Sequence, residues 1–215
     1  MIRIDKVLEQ YLLDHIDEES ELLAKLFRQT QLKMVNGRMC SGHLQGSLLT
    51  LLSKLIRPSR ILEIGTYTGY SAICLAAGLT EHGILHTIEI NDEFVNLAAP
   101  FFEESGLRDR IIQHIGDAED IIPGLNESFD LVFIDADKRK YLSQYNLLFP
   151  KVAVGGIIIA DNTLWAGKVV HPVVLTDDQT IAIMQFNDFV KMDHRVETFM
   201  IPIRDGMTVL RKISE

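Results

Sequence analysis

Acidic and amide side chains follow two apolar runs in the second half of the chain. Asp135 comes directly after "LVFI", Asp161 and Asn162 come directly after "GIIIA", and 26 positions separate the two aspartates. Each run has the length of a buried strand, and neighbouring parallel strands bring their carboxyl ends to one edge of a sheet. Carboxylate and amide oxygens are the ligands that Mg²⁺ prefers. We therefore predict a magnesium site at this edge, the alternative being that the acids cap the helices that follow.

A charged segment, "DADKRK", continues from Asp135. Asp137 is placed to cap the following helix, which is a structural reason for an acid here. Lys138 lies three positions after Asp135, so its side chain can reach back over the acids. A nearby divalent cation would lower the pKa of the lysine, and Lys138 would then serve as a general base. The alternative is a solvated lysine at the start of a helix, as we expect for Arg139 and Lys140.

A glycine turn and two further acids indicate a nucleoside site. Gly65 and Gly69 in "LEIGTYTGYS" allow the backbone to turn tightly and to approach a ligand. The spacing is G-x-x-x-G, not the G-x-G-x-x-G of dinucleotide sites, so a ligand without phosphates is expected. Glu63 precedes this turn, and Glu89 ends the next strand, where an acid can accept both ribose hydroxyls. These features suit S-adenosylmethionine; the alternative is a pair of surface acids at strand ends.

The first 58 residues are predicted to form helices that precede the sheet. Apolar residues recur at helical spacing in "DKVLEQYLLDHI", "ESELLAKLFRQ" and "HLQGSLLTLLSKLIR", with a break at "VNGRMCSG". The third helix is expected to end at Pro58. Residues 1–58 are thus predicted to be a helical extension.

From Arg60 onwards, short apolar runs alternate with helical segments, which predicts a parallel sheet covered on both faces. The final segment, "RVETFMIPIRDGMTVLRK", predicts two strands with a tight turn at Asp205-Gly206. The predicted fold is therefore α/β: a Rossmann-like, doubly wound, mostly parallel seven-stranded sheet with an antiparallel C-terminal hairpin strand. Residues 59–215 form this core, and the whole chain, residues 1–215, is one domain.

Composition limits the compartment and the partners. The net charge is −9, and no apolar run approaches the roughly 18 residues needed to span a membrane. No segment resembles a signal peptide, and Cys40 and Cys74 lack the spacing of a metal pair, so a cytoplasmic protein without a disulfide is expected. Residues 1–35 have more apolar helical surface than one sheet face covers. We therefore expect a homodimer, or a lid over the acceptor pocket.

Three motifs resemble one enzyme family. "ILEIGTYTGYSAICLA", "FIDADK-x-x-Y" and "GGIIIADNTLWAGKV" are similar to the cation-dependent class I O-methyltransferases, which include plant caffeoyl-coenzyme A and animal catechol O-methyltransferases and bacterial relatives. The similarity spans about residues 36–212. It implies that the three cation ligands are those named above and that Lys138 is the base. It also implies a set of residues that line the S-adenosylmethionine pocket: Ser41, Glu63, Gly65, Thr66, Ser71, Glu89 and Ala118, with Asp137 as a further contact.

The reaction that the resemblance implies is transfer of the sulfonium methyl group to a phenolic oxygen of a catechol-like small molecule. A tRNA wobble 5-hydroxyuridine is the alternative acceptor, disfavoured because phosphate contacts need clustered Lys and Arg. A phosphatase with a D-x-D nucleophile would place that motif on its first strand, whereas here it follows the fourth. A ligand-binding module without catalysis is the remaining class, and the complete set of three ligands and a lysine argues against it.

Overall fold

A computed structural model of the chain describes residues 6–215, and its centre is a seven-stranded sheet. The strands are β1 Arg60–Ile64, β2 Ile84–Glu89, β3 Ile111–Ile115, β4 Phe129–Ile134, β5 Val152–Asp161, β6 Val196–Ile201 and β7 Met207–Lys212. Their order in the sheet is β3-β2-β1-β4-β5-β7-β6. The first five strands are parallel, and β7 is antiparallel to both β5 and β6. This topology confirms the predicted fold.

Helices precede the sheet and connect its strands. The three helices predicted in the first 58 residues are present, and the third ends before Pro58, where Arg57 adopts a left-handed conformation. No helix within residues 6–215 is long and apolar enough to cross a membrane. The α-helices are α1 Lys6–Leu13, α2 Glu21–Lys33, α3 Gly42–Ile56, α4 Tyr70–Ala76, α5 Val95–Glu104, α6 Ala118–Ile121, α7 Tyr141–Leu148 and α8 Asp178–Met192.

Each face of the sheet has its own hydrophobic core. One cluster packs α6, α7 and α8 against the sheet, and the other packs α2 to α5 against the opposite face. The central strand β4 is almost continuously buried because helices cover both of its faces. Full burial of each Leu, Ile or Phe side chain contributes about 1.5–3 kcal/mol. The strand ends that line the functional site are therefore fixed by packing on both sides.

The connection between β6 and β7 differs from the predicted tight turn at Asp205-Gly206. Ile201 pairs with Met207, so residues 202–206 form a five-residue loop. Its last part is a turn in which the Gly206 amide donates to the Ile203 carbonyl over 2.7 Å. The wider loop leaves Asp205 free to bond to a neighbouring loop, as described below. Arg204 and Asp205, not Asp205 and Gly206, are therefore the central residues of the turn.

Candidate active site

A cavity of about 1030 Å³ opens where β1, β2 and β4 end. It is walled by the segments that follow these strands and by the loop before α3. Ligands of doubly wound sheets bind at this edge. The structure brings all but one of the predicted site residues to the cavity wall; the exception is Glu63. The residues present there are Ser41, Gly65, Thr66, Ser71, Glu89, Ala118, Asp135, Asp137, Lys138, Asp161 and Asn162.

The glycine turn after β1 lies directly against the segment that contains Asp135. Gly65 has a φ of +103°, and a Cβ atom there would lie 2.1 Å from the Asp135 carbonyl oxygen. Gly69 has a φ of +88°, and a Cβ atom there would lie 2.7 Å from the Phe102 ring. Both positions therefore require glycine, as the sequence indicated.

Glu89 presents its carboxylate to the cavity from the end of β2. The side chain is only 6% exposed. Its Oε2 accepts from the Tyr67 amide over 2.7 Å, and its Oε1 accepts from the Asn91 amide over 2.9 Å. A carboxylate oxygen has two acceptor sites, so each oxygen can still accept from a ligand hydroxyl. The geometry fits the predicted contact with a ribose.

Glu63 lies behind the glycine turn and does not line the cavity. Its side chain is fully buried, and its Oε2 accepts from the Thr87 hydroxyl over 2.5 Å. Its Oε1 has no well-formed hydrogen bond within residues 6–215. Burial raises the pKa of Glu63 to about 8, although the hydroxyls of Ser71 and Thr87 favour the ionised form. The structure therefore places the Glu63 carboxylate against Thr87 of β2, and its contact with a ligand stays a prediction.

The raised pKa of Glu63 predicts a pH-dependent loss of stability. Its pKa rises from 4.5 to about 8 on folding, so its stabilising contribution is complete below pH 4.5 and falls as the pH rises to 8. Glu63→Gln should remove this pH-dependent loss in the free energy of unfolding, which is on the order of 1–4 kcal/mol at pH 8. Urea unfolding at pH 5 and pH 8 measures the difference. An equal effect of the substitution at both values would contradict the assignment.

The predicted cation ligands meet between the ends of β4 and β5. Asp161 is 3% exposed, and its carboxylate accepts from the Asn162 amide over 2.8 Å and from Gln45 Nε2 over 2.6 Å. Burial, followed by repulsion from Asp135, raises the pKa of Asp161 to about 6, although Lys138, Gln45 and the Asn162 amide favour the ionised form. The two acids therefore repel each other, as the sequence indicated.

The donor atoms of this site fit a divalent cation. Asp135 Oδ2 and the side-chain amide of Asn162 have no hydrogen-bond partner in the described part of the chain, and both residues line the cavity. No group of three or more His, Cys, Asp or Glu side chains within residues 6–215 is arranged to hold a metal. The candidate set is two carboxylates and one amide, and Mg²⁺ typically completes so small a set with waters or substrate oxygens.

Lys138 lies beside these ligands and is 5% exposed. Its Nζ is 3.0 Å from Asp135 Oδ1 and donates to Tyr141 Oη over 2.6 Å. Burial lowers the pKa of Lys138, but Tyr141, Asp135 and Asp161 outweigh burial and raise it. The prediction that the pKa of Lys138 falls assumed a divalent cation bound next to it. With the protein charges alone, the lysine is an ammonium paired with Asp135.

The two basic neighbours of Lys138 differ from each other. Arg139 is exposed and pairs with Asp137, whose carboxylate also caps the short helical turn as predicted. Lys140, which the sequence indicated to be solvated, bridges Asp117 over 2.5 Å and Glu119 over 3.0 Å. This bridge connects the segments that follow β3 and β4. Sequence reasoning missed it because the partners are about twenty positions apart.

Sequence reasoning also missed three side chains that support the site. Tyr141 Oη lies 3.0 Å from the Asp161 carbonyl oxygen, and its spacing from Lys138 was the available signal. Gln45 is buried on α3, where a polar residue among apolar ones was the signal. Arg204 donates to Gln45 Oε1 over 2.7 Å. No local pattern around Arg204 indicated its contact with Gln45, which lies 159 positions earlier in the chain.

Comparison with known proteins identifies the family. A sequence model of the O-methyltransferase family matches residues 14–213. The chain is 37% identical over 180 residues to caffeoyl-CoA O-methyltransferase 1 of Eucalyptus globulus, with 79% of this chain and 73% of the relative covered. It is 36% identical to caffeoyl-CoA O-methyltransferase 1 of Zea mays, with 96% and 84% covered.

Solved structures agree with the sequence comparisons. The O-methyltransferase TomG of Streptomyces achromogenes, in complex with S-adenosylmethionine, superposes with a TM-score of 0.90 at 29% identity, covering 97% of this chain and 96% of that one. The O-methyltransferase of Bacillus cereus, in complex with S-adenosylhomocysteine, gives 0.90 at 26% identity, covering 99% and 100%. The chain therefore belongs to the O-methyltransferase family and is an S-adenosylmethionine-dependent O-methyltransferase.

Proposed function

We propose that this enzyme depends on a divalent cation, most simply Mg²⁺, and methylates a hydroxyl of a catechol-like vicinal diol. The main support is one juxtaposition. Three oxygen ligands and Lys138 lie on the wall of the same cavity as the glycine turn and Glu89. A methyl donor held by the turn would therefore lie beside an acceptor held at the cation ligands.

In this proposal, different parts of the site bind different parts of the cofactor. The turn at Gly65 permits close approach of the methionine part, Glu89 accepts from the ribose hydroxyls, and the segment around Ala118 borders the adenine. Ser41 covers the cavity from the loop before α3 and is 8% exposed. The cavity is large enough for a cofactor together with a small acceptor.

Glu89→Ala should weaken S-adenosylmethionine binding about 10- to 100-fold, because hydrogen bonds to a charged acceptor contribute about 1.5–3 kcal/mol. Titration calorimetry measures the affinity directly. Glu93→Ala is a matched control, since Glu93 is an exposed acid in the same segment and does not line the cavity. Unchanged affinity in Glu89→Ala would refute the ribose contact.

The cation ligands and Lys138 have separate tasks. When bound, a divalent cation would supply Lewis-acid chemistry that lowers the pKa of an acceptor hydroxyl. Asp135, Asp161 and Asn162 would hold it, and Lys138 Nζ would take the proton from the hydroxyl that attacks the methyl group. Burial disfavours the ammonium form of Lys138, but Tyr141, Asp135 and Asp161 together outweigh burial and favour it. The base role therefore requires a competing positive charge beside the two acids.

Two observations support a vicinal diol as the methyl acceptor. One is the small set of cation ligands, and the other is that the plant relatives are caffeoyl-CoA O-methyltransferases. Two neighbouring hydroxyls can occupy two positions of a cation held by only three protein atoms. Labelled S-adenosylmethionine should give methylated product with catechols and Mg²⁺, and much less with monophenols or with excess chelator. Equal rates with phenol, or methylation of tRNA containing 5-hydroxyuridine but not of catechols, would overturn the proposed acceptor.

We also propose a homodimer formed through the N-terminal helices. Leu32 at the end of α2 is 75% exposed, Val35 is fully exposed, and Leu55 on α3 is 71% exposed. Covering such side chains favours association. Light scattering should give about twice the 24.3 kDa mass of one chain. Val35→Glu together with Leu55→Glu should shift the protein to monomers, and a monomeric wild type would refute the proposal.

A further inference from the structure

Arg204 occupies a backbone conformation that an arginine rarely adopts. Its φ is +47°, and it lies in the turn that precedes β7. Glycine has no steric cost in this region, whereas a side chain with a Cβ atom does. Residues held in this way often have a function that depends on the side chain. The contacts of the guanidinium group indicate which part of the site this side chain holds.

The guanidinium group bonds the start of α3. Nη1 donates to Gln45 Oε1 over 2.7 Å, to the Cys40 carbonyl over 3.2 Å, and to the Ser41 carbonyl. A guanidinium can only donate hydrogen bonds. The atom of the Gln45 side-chain amide that faces Arg204 must therefore be the oxygen. The amide nitrogen then faces the opposite way, towards Asp161.

Gln45 and Asp161 form the second half of this connection. Gln45 is 1% exposed, and its Nε2 donates to Asp161 Oδ2 over 2.6 Å. A flipped amide would put its oxygen against the carboxylate, with two acceptors in contact and no donor between them. The Asn162 amide bonds the other carboxylate oxygen. Both oxygens of the Asp161 carboxylate are therefore hydrogen-bonded, which restricts its orientation.

We propose that Arg204 is a positioning residue that fixes the amide of Gln45 and, through it, the carboxylate of Asp161. Its effect on cation affinity rests on the proposed function, in which Asp161 is a ligand. The same turn also holds the loop after β5, because the Leu164 amide donates to the Asp205 carbonyl over 2.9 Å and the Ala166 amide donates to Asp205 Oδ1 over 2.7 Å. The turn before β7 therefore bonds both the loop before α3 and the loop that follows the cation ligands Asp161 and Asn162.

The test measures cation binding without turnover, using Mn²⁺ as the probe and electron paramagnetic resonance of the full chain. Arg204→Gly removes the guanidinium and suits the backbone, and it should weaken Mn²⁺ binding about 10-fold, the range seen when partners of metal ligands are removed. Arg204→Lys keeps a donor and should restore part of the affinity. In a Gln45→Leu background, Arg204→Gly should change the affinity less than twofold.

A second readout needs no cation. In ¹⁵N-labelled protein, the side-chain amide protons of Gln45 should exchange slowly with solvent in the wild type and at least 10-fold faster in Arg204→Gly. Wild-type exchange in that variant, or an equal loss of Mn²⁺ affinity with and without Gln45, would overturn the positioning role. If the wild type binds no Mn²⁺, the cation part of the proposed function fails, and the exchange of the Gln45 amide alone decides the role of Arg204.

Discussion

Replacing Lys138 with methionine should lower kcat by about 10²–10⁴ at neutral pH, the usual contribution of a general base. Methionine approximates the length of the buried side chain and removes the amine. The cation ligands stay in place, so Mn²⁺ affinity should not fall. The loss should shrink at higher pH, where the acceptor hydroxyl ionises unaided. Steady-state rates with a simple catechol from pH 6.5 to 9.5 provide the measurement.

Lys138→Arg separates two roles that the structure allows for this lysine. Arginine stays protonated and cannot accept a proton at these pH values, but it keeps the positive charge beside Asp135. If Lys138 is a base, Lys138→Arg should be as inactive as Lys138→Met. Substantial activity in Lys138→Arg would assign the lysine an electrostatic role instead. Lys54→Met is the control, because Lys54 is exposed on α3 and away from the cavity.

Asp161→Ala should lower kcat/KM by about 10²–10⁴ at low Mg²⁺ concentration, because a ligand of the proposed cation is lost. Asp135 and Asn162 remain, so higher Mg²⁺ should restore part of the activity. The rate is measured across Mg²⁺ concentrations at fixed catechol. Asp188→Ala, at an exposed acid of α8, should keep wild-type activity and wild-type Mg²⁺ dependence.

Different conditions should restore the activity of Asp161→Ala and of Lys138→Met. Added Mg²⁺ should help Asp161→Ala and leave Lys138→Met unchanged, whereas higher pH should help Lys138→Met more. Full activity of Asp161→Ala in the presence of a chelator would show that the reaction needs no cation at this position. The same result would remove the reason for a vicinal diol as the acceptor.

Much of the fold could be predicted because its signals are local. The apolar run of β4 and the helical spacing in α3 depend on neighbouring residues, and both segments lie where they were expected. Parallel strands bring their ends together, so the proximity of Asp135 and Asp161 also followed from the pattern. The prediction for the turn before β7 was wrong in detail: its central residues are Arg204 and Asp205, and Asp205 also bonds a loop about forty positions earlier in the chain.

The supporting side chains of the site could not be predicted in the same way. Gln45 contacts Asp161 across 116 positions, and no local pattern indicates a partner so far along the chain. Glu63 was expected at the cavity wall because it stands next to the glycine turn. Side chains alternate along a strand, and at this position the carboxylate faces Thr87 behind the turn. Proximity in sequence therefore indicated which segments line the cavity but not the direction of each side chain.

β7 follows all the other strands in sequence but lies inside the sheet, between β5 and β6. β5 and β6 are therefore both synthesised before the strand that joins them. Without residues 207–212, the chain has an unpaired edge of β5 and no β7 to hold the turn that contains Arg204. Unpaired strand edges favour aggregation. A product of premature termination should therefore be removed by chaperones and proteases, and it should not accumulate as a partly active methyltransferase.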